Sequence, residues 1–212
     1  MKKILITQRI DISVEYYERR DSIDQNWCRF IMECGYLPIF SANSIDYVKP
    51  ILTELMFSAI VLTGGNDLYK YGGDALERDK AEQFLLKYAI EKKIPLVGVC
   101  RGMQLIQDYF GVSLRKINNH VGVLVDLRQK ILGRYSKLLS EIKKVKSYHH
   151  WGTCNSVDEL RVIAEDDNAI VMAIEHVSYP ILGIMWHPER DTFFKKYNKQ
   201  LFRSLIEAKV ET

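Results

Sequence analysis

"IPLVGVCRGMQLI", residues 94–106, holds two periodicities side by side with a cysteine at their junction. Pro95 to Val99 is a short apolar run of the kind that forms a fully buried strand, and Arg101 to Phe110 has helical spacing. Cys100 therefore falls on the turn between them. A sharp strand-to-helix turn forces its corner residue into a strained backbone, and Gly98 and Gly102 keep neighbouring chains clear of it. The helix that starts at the corner points free N–H groups back toward it, an environment that favours negative charge on a side chain held there. The reading predicts an exposed, oriented cysteine nucleophile.

Outward from this corner the same alternation recurs. Upstream, "RDKAEQFLLKYAIEKK" places Ala81, Phe84, Leu85 and Tyr88 on one helical face. Before it lie the apolar runs "KKILIT", "YLPIF" and "AIVLTGG", separated by two helical segments. In the first, "SIDQNWCRFIMECG", Ser22 and Gln25 are spaced as a capping box; the second is "SIDYVKPILTEL". Strands alternating with helices predict an α/β fold, with a parallel sheet covered on both faces. After Gly111 the chain turns β-rich: "GVSLRKI", "GVLVDL", "KKVKSY", "LRVIAE", "AIVMAIEH" and "ILGIMW". These runs predict a smaller antiparallel patch joined to the main sheet in the C-terminal half. The closing stretch "DTFFKKYNKQLFRSLIEA" reads as a helix with Asp191 as its cap and an apolar stripe of Phe194, Tyr197, Leu201 and Leu205.

Composition narrows the function classes. With 212 residues, 47% of them hydrophobic, the chain reads as a single domain spanning 1–212. A net charge of +3 drawn from many charges of both signs gives no reason to expect nucleic-acid or membrane binding. The start "MKKILITQRI" lacks the apolar length of a signal peptide, so a cytoplasmic location is expected. Cys28, Cys34, Cys100 and Cys154 contain no Cys-x-x-Cys pair, which suggests neither a zinc site nor a disulfide framework.

A thiolate nucleophile needs a base, and the base needs a partner to orient it. "WHPER" offers both: "ILGIMW" delivers His187 at the C-terminal end of a strand, and Pro188 lets Glu189 turn back toward the imidazole. A His-x-Glu pair alone is a weak signal. It gains weight because Cys100 and His187 each end an apolar run of the same predicted sheet. Attack on an acyl carbon also creates an oxyanion, for which Gly64 or Gly65 in "VLTGGND" can supply one backbone donor and Arg101 the other.

Together, "TGGND", "GVCRGMQ", "YHH" and "WHPE", in this order, resemble the class I glutamine amidotransferase superfamily, and within it the stand-alone γ-glutamyl-γ-aminobutyrate hydrolase type. The resemblance spans nearly the whole chain. It implies a flavodoxin-like fold, a Cys100–His187–Glu189 triad and no metal or organic cofactor. It further implies that Asn66 and Gln104, with the Ser147, Tyr148 and His149 segment, contact the glutamyl group. His120 matches a histidine often found in this branch. One departure is Trp151, which stands where family members commonly carry glutamine.

"YYERRDSIDQNW" further resembles a subgroup associated with surface-polysaccharide pathways, in which γ-glutamyl-CDP-amidate is cleaved to glutamate and cytidine diphosphoramidate. The implied partner is a small γ-glutamyl substrate linked to a nucleotide, with Arg19 and Arg20 in a loop receiving its phosphates; a homodimer is also compatible. A basic run from Arg128 to Lys146 leads into "SYHH" and is a second source of cations. Two rival functions share these motifs. One is a glutaminase subunit that passes ammonia to a synthase, and the other is a non-catalytic binding protein on the same fold.

Overall fold

The computed structural model describes residues 1–130, 133–191 and 193–207. Its elements run β1 (Lys3–Ile6), β2 (Arg9–Ser13), β3 (Glu18–Ser22), α1 (Gln25–Glu33), β4 (Leu37–Phe40), α2 (Ile45–Glu54), β5 (Ala59–Leu62), α3 (Leu76–Lys92), β6 (Leu96–Val99) and α4 (Arg101–Tyr109). There follow β7 (Arg115–Lys116), β8 (Val121–Asp126), β9 (Arg128–Gln129), α5 (Ser136–Leu139), β10 (Lys144–Tyr148), β11 (Trp151–Gly152), β12 (Leu160–Glu165), β13 (Val171–His176), β14 (Ile181–Ile184) and α6 (Lys196–Glu207).

Eight strands form the central sheet in the order β4-β1-β5-β6-β14-β13-β12-β9. The first five are parallel, and β13, β12 and β9 extend that sheet antiparallel. This is the predicted architecture, including the antiparallel patch. The middle strands β5, β6 and β14 are buried at every residue, as strands covered on both faces must be. One helical layer includes α1 and α6, whose Phe30 and Phe202 rings meet edge to face at 4.9 Å. In the other layer α3 packs against both α2 and α4.

Several local expectations are corrected. Arg19 and Arg20 lie on β3, in a β2–β3 hairpin, not in a loop. The strand "ERRDS" is entirely polar and carries no apolar alternation, so cross-strand pairing holds it rather than burial. Helix α1 is capped by Asp24, whose carboxylate accepts from Asn26 N at 2.9 Å, and not by Ser22. Ser22 instead ends β3 and donates to Asp11. Asp191 does not cap α6, which begins at Lys196; it accepts from Asn198 Nδ2 at 3.3 Å. Of "GVSLRKI" only Arg115–Lys116 pairs as a strand. Thr192 and Ala208 of the expected C-terminal helix lie outside the described residues.

Candidate active site

Neighbouring parallel strands end at one edge of their sheet, so β5, β6 and β14 deliver the Gly64–Gly65 loop, Cys100 and His187 to one place. Cys100 sits immediately after β6 with φ 53° and ψ −105°, a conformation outside the regions an L-residue favours. Holding it costs on the order of 1–3 kcal/mol, so the surroundings must over-determine it. They do: Cys100 N donates to Ile184 O at 2.7 Å, and Gln104 N donates to Cys100 O at 3.0 Å. The flanking glycines are needed for close approach. A Cβ on Gly102 would lie 2.2 Å from Leu62 O, and one on Gly98 would lie 2.6 Å from the carbonyl of Gly102. The corner is thus wedged between β5 and its own helix.

Cys100 is only 6% exposed, so the expected exposed thiol is in fact the floor of a cleft of about 310 Å³. Gly65, Asn66, Gln104, Tyr148 and His149 contribute to its walls. The site is accessible through this cleft, where a substrate would cover the sulfur from water.

His187 and Glu189 are both buried, and His187 Nδ1 donates to Glu189 Oε1 at 2.7 Å. That bond fixes the ring and leaves Nε2 as the working nitrogen. Nε2 is buried without a hydrogen-bond partner, and Glu189 Oε2 is likewise unpaired. Burial alone would lower the imidazole pKa. The negative charge of the nearby Cys100 outweighs burial, assisted by the charge and hydrogen bond of Glu189, and the pKa rises to about 9. Although no Sγ to Nε2 hydrogen bond closes, the ring lies in reach of the sulfur's charge. A Cβ placed on Gly64 would meet His187 Cε1 at 2.7 Å and Cys100 Cβ at 3.5 Å, so the glycine backbone lies against both. A buried imidazolium beside a thiol can trade a proton with an acyl group's leaving atom.

Pattern reading missed the group that builds the glycine loop. Arg78, fully buried on α3, donates to Thr63 O at 2.8 Å and Gly64 O at 3.0 Å, and also to Gly65 O. Its Nε donates to Glu82 Oε1 at 2.9 Å, and Glu82 in turn accepts from Thr7 Oγ1 and Arg101 Nη1. Arg101 also pairs with Asp79. Burial drives the Arg78 pKa down to about 10, helped by the nearby Arg101 and opposed by Glu82. The peptides are trans, so an N–H points opposite to the preceding C=O. Anchoring the oxygens of Gly64 and Gly65 on Arg78 therefore turns the N–H groups of Gly65 and Asn66 away from it. Both residues line the cleft. One signal was available: Arg78 and Glu82 are spaced i, i+4 on the stripe that continues through Leu86 and Ala89.

The remaining expected residues separate into three groups. Gln104 reaches the cleft, where its Nε2 donates to Trp151 O at 3.0 Å. His149 Nδ1 donates to the same carbonyl at 2.9 Å, and burial lowers its pKa to about 4, leaving a neutral ring with Nε2 as a buried unpaired acceptor. Tyr148 stands edge-on to His187 with ring centroids 5.9 Å apart. It follows a bulge in which Gly122 of β8, at φ 72°, is skipped by the register.

Asn66 lines the cleft with its carboxamide already engaged, whereas His120 and Ser147 are not among the residues of the cleft walls. The Asn66 carboxamide is engaged with Ile10 N and Ile10 O, both at 2.9 Å, so it ties the hairpin to the glycine loop. His120 does not line the cleft; it lies behind His149, bonded to Asp166 at 2.8 Å and Asn118 O at 2.9 Å. The Ser147 hydroxyl is buried without a partner. Arg19 and Arg20 are absent from the cleft as well. Arg19 is spent on Glu77 and Asp74 O, and Arg20 on Glu18.

Comparison with known proteins supplies the family. The Peptidase C26 family model matches residues 6–189, a span that includes Cys100, His187 and Glu189. The chain belongs to the Peptidase C26 family. Among relatives of this Peptidase C26 protein is the γ-glutamyl-CDP-amidate hydrolase of Campylobacter jejuni, 28% identical over 193 residues that cover 88% of this chain and 89% of the relative. Another is the γ-glutamyl-γ-aminobutyrate hydrolase of Escherichia coli O157:H7, 27% identical over 220 residues covering 88% and 86%. A glutamine amidotransferase of Thermotoga maritima superimposes with a TM-score of 0.67 at 15% identity, covering 98% of this chain and 99% of that one. The glutaminase domain of Trypanosoma brucei CTPS, with acivicin bound, gives 0.72 at 13% identity, covering 97% and 94%. These structures share the flavodoxin-like glutamine amidotransferase fold. Among the described residues, no helix is long and apolar enough to cross a membrane and no cluster of side chains has metal-ligand geometry.

Proposed function

We propose that the protein is a cysteine-dependent hydrolase of γ-glutamyl amides that releases L-glutamate. The observation that carries this reading is the strained Cys100 at the floor of a cleft, beside a buried His187 held by Glu189. The Cys100 thiolate attacks the γ-carbonyl carbon, and the N–H groups of the Gly64–Gly65 loop and of Arg101 receive the oxyanion. The C–N bond breaks as His187 gives its Nε2 proton to the leaving nitrogen. Water then attacks the thioester, losing its proton to Nε2, and glutamate leaves with the thiolate restored. Glu189 keeps Nδ1 protonated and stabilises the imidazolium. Gln104, Tyr148 and His149 face the glutamyl end. Every step uses this chain's own side chains and backbone.

For the leaving group, the specific candidate is the cytidine diphosphoramidate portion of γ-glutamyl-CDP-amidate, as in capsular polysaccharide modification. It is supported by the relative of that activity, 28% identical over most of both chains. The test is glutamate release from a panel containing γ-glutamyl-CDP-amidate, γ-glutamyl-γ-aminobutyrate and glutamine. The proposal predicts turnover of at least one γ-glutamyl amide by the chain alone, with the nucleotide-linked compound preferred, and loss of turnover in Cys100→Ala. Release from glutamine only in the presence of an added protein would instead make this a glutaminase subunit.

A further inference from the structure

His187 lines a second groove besides the Cys100 cleft, with a volume of about 320 Å³. Lys144 and Lys146 of β10, Arg190 beside Glu189, and Lys195 before α6 enter its walls, against one carboxylate, Asp191. Lys144 is partnered by Asp126 at 3.3 Å, whereas Lys146 and Lys195 make no ion pair among the described residues. Asp191 is half-buried between these ammonium groups and accepts from Asn198. Leu124, Trp186 and Tyr197 supply apolar surface. The groove thus joins the proposed proton donor to an excess of unpaired positive charge and a flat apolar wall.

A different opening at Trp151 is less suited to an anion. It holds Lys116, whose ammonium is 5.6 Å from the Trp151 ring centroid, and it also holds Asp67. We propose that the Lys144, Lys146, Arg190 and Lys195 groove receives the phosphorylated part of the leaving group, a nucleoside diphosphate bonded through nitrogen to the γ-carbonyl. The proposal rests on the hydrolase reading for its place beside His187. A diphosphate would pair with Lys146 and Lys195 and reach Arg190 with its planar donors, while the base lies on Tyr197 and Leu124.

The test is calorimetric titration of cytidine diphosphate into the full-length Cys100→Ala protein at low salt. Binding is expected, weakening as salt rises. In a Lys146→Gln/Lys195→Gln background the Kd should rise roughly tenfold, whereas Lys116→Gln should leave it unchanged. In the enzyme with Cys100 intact, the double variant should lower the ratio of kcat/KM for γ-glutamyl-CDP-amidate over a neutral γ-glutamyl amide. No binding at millimolar nucleotide, an unchanged Kd in the double variant, or weakening in Lys116→Gln would overturn the assignment. Hydrolysis of neutral amides without nucleotide binding would remove the groove and leave the hydrolase. Nucleotide binding in the groove without hydrolysis of any γ-glutamyl compound would do the reverse.

Discussion

At the scale of single residues, the account turns on a histidine whose charge is set by two neighbours. Burial opposes the imidazolium, and the combined attraction of Cys100 and Glu189 overrides it, giving a pKa of about 9. A raised histidine pKa keeps the proton donor charged at neutral pH and loses it as pH climbs. The kcat/KM of the wild type should therefore fall on the alkaline side with an apparent pKa near the value of about 9 that holds for His187. Glu189→Gln keeps an acceptor for Nδ1–H and removes the negative charge, so the alkaline limb should move to lower pH and kcat should drop. A limb in the same position in both proteins would show that Glu189 does not support the imidazolium. Cys34 offers the contrast within the chain: burial pushes its thiol up to about 12. Its sequence context shows only a small residue on an apolar helix face, which is how it packs.

At the scale of elements, the glycine loop after β5 is held by a helix that does not itself reach the substrate cleft. Arg78 of α3 draws the carbonyls of Thr63, Gly64 and Gly65 to one guanidinium, and Glu82 couples it to Arg101 at the start of α4. A lysine has a point charge and no planar fork to span three carbonyls. Arg78→Lys should misalign the N–H groups and lower kcat by about 10²–10³, the range for losing an oxyanion donor. Alkylation of Cys100 by iodoacetamide, followed on its own peptide, should proceed at the wild-type rate because it needs no oxyanion donors. Parallel losses in both readouts would mean that Arg78 only supports the fold.

This network also marks where sequence reading stopped. Fully apolar runs announced β5, β6 and β14, and the glycines around Cys100 announced the elbow, because burial and close approach leave strong local signals. Arg78, Asp79 and Glu82 left the opposite signal. Charged residues on a helix are ordinarily assigned to water, and here they face inward because they satisfy one another and the loop. The hairpin β2–β3 was hidden for a related reason: its residues are held by pairing and by Asn66, neither of which produces an apolar period.

At the scale of the whole molecule, three adjacent parallel strands bring residues distant in sequence to one edge, and the antiparallel extension through β13 and β12 widens the sheet beyond them. Arg19, expected to receive phosphate, is instead taken up by Glu77 and Asp74, far away in sequence where no local pattern reveals them, and Arg20 by Glu18 two residues before it. The groove beside His187 is instead lined by Lys146 of β10 and by Lys195 before α6, two elements that meet only in the folded chain. The central claim, however, is covalent: the acyl group passes through the sulfur of Cys100. The most direct measurement is acid quenching during turnover of a γ-glutamyl amide, followed by mass spectrometry of the intact protein and its peptides. The account predicts a glutamyl adduct on the peptide carrying Cys100, labile to hydroxylamine and absent from Cys100→Ala. An adduct on another cysteine, or sustained turnover by Cys100→Ala, would contradict it.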